Sequence, residues 1–74
     1  MIERVINILA DFTTLEEDKI KRESGLVTDL GLSSLDVINM VVAFEDEFDI
    51  EIPDQKIKEL VTVEDIVEYL EKNA

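Results

Sequence analysis

The chain has 74 residues, with 19 acids against 7 lysines and arginines, and its formal charge is −12. That balance opposes binding to nucleic-acid phosphates and anionic membranes, which reward Lys and Arg, and makes basic partners the expectation. With 46% hydrophobic residues and no cysteine, the chain is too apolar for a disordered acidic tail and cannot form a disulfide, so one small domain over residues 1–74 is expected.

In chain order, Ile2, Val5, Ile6, Leu9 and Phe12 recur at helical spacing, and residues 2–12 are expected to form an amphipathic helix. The same stretch carries Glu3, Arg4 and Asp11 and lacks the apolar run and cleavage site of a signal peptide. No segment approaches the roughly 20 apolar residues of a membrane span, so a cytoplasmic protein without stable membrane insertion is expected. Residues 13–32 form a long connection anchored by Leu15, Ile20, Leu26, Leu30 and Leu32, with Thr14 of "TLEE" positioned to cap a short turn.

From Leu35 to Phe48 the helical pattern runs without Gly or Pro. Val37, Met40, Val41, Phe44 and Phe48 make its inward face. Pro53 then disfavours helix at Ile52, and Asp54 is expected to cap a short turn carrying Ile57 and Leu60. "TVED" at 62–65 reads as a capping box, with Thr62 opening a final helix to residue 72 through Val63, Ile66, Val67 and Leu70. The fold class is therefore all-α, a four-helix bundle of three longer helices and one short one. Its expected interior is Ile6, Leu9, Val41, Phe44, Ile57, Ile66 and Leu70.

Two adjacent serines in "DLGLSSLD", residues 29–36, stand where the long connection becomes the longest helix. With Ser33 as N-cap, its hydroxyl accepts from the Asp36 amide while Asp36 reaches back, and Gly31 supplies a flexible or positive-φ position upstream. Ser34 is then the first helical residue, its hydroxyl free of the cap at a helix end that favours an attached anion such as phosphate. Catalysis by this serine is not expected, because the chain has no histidine and no G-x-S-x-G turn. The hydroxyl would be acted on by another enzyme. Standing alone, a serine pair at a helix start is most often only a cap.

Leu35, Ile38 and Val42 form a second apolar stripe beside Ser34, flanked by Asp36, Glu45, Asp46 and Asp49. That stripe suits either a partner with a greasy spot and a basic rim or packing beneath the long loop. No basic residue lies between Arg22 and Lys56, so the negative field is concentrated there.

The octapeptide resembles the D-L-G-x-D-S-L-D signature of acyl carrier proteins, "FEDEFDIEIPD" resembles that family's acidic helix end and I-P-D turn, and "TVEDIVEYL" its last helix. The likeness covers residues 2–72. It implies a non-catalytic carrier whose Ser34 receives 4'-phosphopantetheine from coenzyme A through a phosphopantetheinyl transferase. The terminal thiol of that arm would hold acyl groups as thioesters and supply the sulfur that the chain lacks. It further implies docking of synthase and acyl-transfer enzymes on Leu35, Asp36, Ile38, Val42, Glu45 and Asp46, an interior able to shelter an acyl chain, and a monomer.

Fatty-acid biosynthesis is the family's broadest role; a polyketide, lipid-modification or aminoacyl pathway could use the same scaffold. The chain departs from the pattern at Ser33, where the family has Asp, and at Asn39, where fatty-acid carriers place an acid. An unmodified acidic helical adaptor is the competing class. A calcium sensor would suit the charge, but no D-x-[DN]-x-[DN]-G-x₅-E loop is present and no metal site is expected.

Overall fold

The computed structural model describes residues 1–73. Three helices, α1 (Ile2–Leu9), α2 (Ser34–Phe48) and α4 (Val63–Asn73), enclose the core, and a single-turn helix α3 (Asp54–Ile57) lies between the last two in sequence. A short 3₁₀ turn at Glu17–Lys19 interrupts the long α1–α2 connection. The described residues form no strand, only an isolated antiparallel bridge between Gly25 and Thr62. The all-α expectation, with three longer helices and one short, matches this architecture.

α1 packs on both α2 and α4 through Val5 and Leu9, four residues apart and fully buried. Ile6, expected in the interior, is only partly buried, because it sits about 100° around the helix from Val5. The helix is also shorter than the expected 2–12. After Leu9 the amides of Asp11 and Phe12 bond three residues back, to Ile8 and Leu9, so the chain tightens into a turn.

In the connection, Ile20, Leu26, Leu30 and Leu32 are buried and Leu15 partly so, which bears out all of its anchors. Thr14 is not a cap. Its neighbour Thr13 does the local work, donating to the Leu30 carbonyl at 2.9 Å and accepting from the Leu15 amide at 3.3 Å. A Cβ at Gly25 would meet the Thr28 hydroxyl, so any larger residue there needs that side chain to turn away.

α2 buries Met40, Val41 and Phe44, while Val37 and Phe48 are half-buried. At its far end Asp49 takes the left-handed conformation (φ 54°), and the Asp49 and Ile50 amides both close on the Glu45 carbonyl. The Arg4 guanidinium from α1 bonds Glu47 at 2.7 Å and lies 4.4 Å from the centre of the Phe48 ring, clamping that end to α1.

Asp54 does not cap α3. Pro53 occupies the N-cap with no side-chain bond, and its fixed φ of −62° already starts the turn. Leu60 is buried and Ile57 only partly, so the short segment contributes less to the interior than its pattern suggested. α4 opens on the expected box: Thr62 Oγ1 accepts from the Asp65 amide at 3.2 Å, and Asp65 Oδ2 accepts from the Thr62 and Val61 amides at 3.0 Å each. Val63, Ile66, Val67 and Leu70 are all buried.

Candidate functional site

The turn into α2 is built by two residues. Gly31 has φ +71°, and nothing lies within 4 Å of where a Cβ would sit, so the backbone conformation alone selects glycine. Ser33, extended at φ −81° and ψ 172°, then accepts from the Asp36 amide through Oγ at 3.2 Å, and Asp36 Oδ2 accepts from the Ser33 amide at 3.0 Å. This reciprocal capping box satisfies two amides that the helix itself leaves without partners. Asp36 is therefore committed inside the box.

Ser34 begins the helix and is exposed, and the capping bonds leave its hydroxyl out. It stands at the positive end of a helix of 15 residues, where an attached phosphate is favoured. A cleft of about 480 Å³ opens beside it, walled by α2, the 26–28 segment of the long connection and residues 57–61. Its lining is mostly aliphatic, including Leu26, Val37, Ile38, Ile57 and Leu60. An accessible hydroxyl at a helix N-terminus, next to an apolar cleft, fits a phosphate-linked arm with a greasy load.

Leu35, Ile38 and Val42 are 66%, 51% and 50% exposed, so the stripe is not covered by the loop, although Ile38 also lines the cleft that the loop helps to wall. They form an outward seam continuous with Ser34, alongside the exposed Asp46. Glu45 joins that rim with only part of its carboxylate. It is half-buried, and its Oε2 accepts from the Ile52 amide at 2.7 Å, tying the end of α2 to the approach of α3. Asn39, one turn past Leu35, is exposed on α2 and carries no charge.

The cleft was not foreseen from the sequence. Two of its walls come from Val27 and Val61, exposed apolar residues in segments far apart in the chain. The bridge at Gly25 and Thr62 brings them together: the Leu26 amide bonds Val61 O at 2.9 Å, the Val63 amide bonds Ser24 O at 3.0 Å and the Glu64 amide bonds Arg22 O at 2.8 Å. An ion pair between Arg22 and Glu64 closes the same clasp.

Residues 3–70 match the family model described as "Phosphopantetheine attachment site". The chain is 44% identical over 69 residues to the acyl carrier protein of Bdellovibrio bacteriovorus, covering 93% of this chain and 88% of that protein. It is 43% identical over 70 residues to the acyl carrier protein of Akkermansia muciniphila, covering 95% and 88% respectively. A helical bundle that exposes a serine beside an apolar cleft agrees with these matches. The chain belongs to the acyl carrier protein family, whose prosthetic group is 4'-phosphopantetheine.

Proposed function

We propose that Ser34 is the attachment point and that residues 1–74 act as one carrier domain, a cytoplasmic monomer without catalysis of its own. The observation that carries this reading is the division of labour in the serine pair: Ser33 is bonded into the cap, and Ser34, one residue on, is exposed and left out of it. The Ser34 oxygen would attack the pantetheine-bearing phosphorus of coenzyme A, forming the phosphodiester as the pyrophosphate bond breaks and adenosine 3',5'-bisphosphate leaves. The serine proton would leave to a base on the transferase, since the chain has no histidine and the first-turn carboxylate, Asp36, already accepts from the Ser33 amide. When bound, the arm supplies a terminal thiol that a chain without cysteine does not have.

The partners are a phosphopantetheinyl transferase and then synthase and acyl-transfer enzymes with basic patches. The exposed seam of Leu35, Ile38 and Val42 gives them apolar contact, and Asp46 with the outer faces of Asp36 and Glu45 gives them charge. The cargo is an acyl group of fatty-acid biosynthesis. The cleft beside Ser34 excludes water from the aliphatic part of such a cargo, a more direct shelter than the filled core.

Intact mass after incubation with coenzyme A and a broad-specificity transferase tests the attachment. Wild type and Ser33→Ala gain one phosphopantetheine each, and Ser34→Ala gains none. Absence of any gain with several transferases would instead make the chain an unmodified adaptor. Acyl groups recovered on protein from its native cell identify the pathway, and aminoacyl or polyketide loads there would overturn the fatty-acid assignment.

A further inference from the structure

The cleft beside Ser34 contains one charged lining residue, Lys58. In this chain a cation is scarce, and most acids have none to pair with: 19 acids face 7 basic side chains. Carboxylates hold three of those seven, with Arg4 on Glu47, Arg22 on Glu64 and Lys56 on Glu59. Lys58 has no carboxylate within ion-pair distance among the described residues. It is exposed and follows α3 directly. The acid next to it in the chain, Glu59, is taken by Lys56.

A lysine on such a wall can lay its methylenes on the aliphatic lining and keep its ammonium at the mouth. An anionic oxygen brought into the same cleft gives up water, and a charge-assisted hydrogen bond from that ammonium offsets the loss. Elsewhere around Ser34 the charge is negative or spent in the capping box. Lys58 is the cleft's single cationic answer to an incoming anion.

We propose that Lys58 anchors an anionic oxygen group brought to the cleft on the Ser34 arm: the phosphodiester, or a carboxylate at the far end of the cargo. The proposal rests on Ser34 as the attachment point. It makes Lys58 a residue that distinguishes loads by their charge, in a cleft that otherwise sorts them only by apolar volume.

The test compares melting temperatures of wild type, Lys58→Gln and Lys58→Arg. Each is prepared unloaded, with the free-thiol arm, with a malonyl load and with an uncharged butyryl load of similar length, at low and high salt. Intact mass confirms every loading state. At low salt, loading is expected to favour wild type over Lys58→Gln by about 2 to 5 °C more than in the unloaded pair, with Lys58→Arg resembling wild type and the gap shrinking at high salt. A gap already present in the thiol form identifies the phosphodiester. A gap confined to the malonyl form and absent with butyryl identifies the cargo carboxylate. A lysine serving only the end of α3 would lower loaded and unloaded forms equally, and that result overturns the anchor. Failure of wild type to gain mass overturns the attachment reading, and the anchor with it.

Discussion

Ser33 and Ser34 differ by one position and by everything their surroundings ask of them. Ser33 Oγ is an acceptor held at 3.2 Å from the Asp36 amide, and Ser33→Ala removes it. The expected loss is about 1 kcal/mol, or roughly 4 to 8 °C in melting temperature for a domain this small, with Ser33→Asp restoring most of it. Thermal melts of the three proteins check this. A Ser33→Ala protein as stable as wild type would mean that the cap contributes nothing. Both partners of this box lie within four consecutive residues, which is why the cap was legible in the sequence. Glu45 had no comparable signal: its partner is a backbone amide seven residues on, past a turn, and neither periodicity nor capping patterns report such a bond. Read from sequence it was a surface acid; folded, half of its carboxylate is an internal strut.

At the scale of elements, that strut joins the end of α2 to the segment leading into α3. Glu45→Ala leaves the amide of Ile52, a residue only 5% exposed, without its acceptor, at an expected cost of about 1 to 3 kcal/mol. Hydrogen exchange by NMR is the direct check: the Ile52 amide should exchange at least about tenfold faster, while amides in the middle of α4 change little. Unchanged protection at Ile52 would mean that the bond does not hold the segment. The helices with strong apolar periodicity were readable nearly to the residue, α4 above all, because four buried side chains and a local box specify it together. The ends that failed were those decided by competition between backbone geometries. α1 tightens after Leu9 with no Gly or Pro to announce it, and α3 starts from the fixed φ of Pro53 rather than from a side-chain cap at Asp54. The cleft was illegible for a further reason: its walls meet only when segments distant in the chain are paired.

Over the whole molecule, the net charge of −12 is distributed with few compensating contacts, since the described residues form only three ion pairs between side chains, all of them at exposed or half-exposed positions. Such pairs stabilise by at most about 1 kcal/mol each, so mutual repulsion among the remaining acids dominates the long-range field. Raising ionic strength should therefore raise the melting temperature, and divalent cations should do so at lower concentration through denser screening. Differential scanning calorimetry across a salt series checks this, and a flat or falling series would mean that the acids are already compensated by local bonds.

The clasp between Gly25 and Thr62 has a kinetic consequence. It joins residues 37 apart, so the chain must give up the entropy of closing that loop before the cleft exists, whereas the serine turn closes over four neighbours. The capped turn that presents Ser34 and the cleft beside it thus assemble on different terms, one through bonds among neighbours, the other through a pairing across the chain. Opening of the clasp alone would unmake the cleft while the capped start of α2 stays in place.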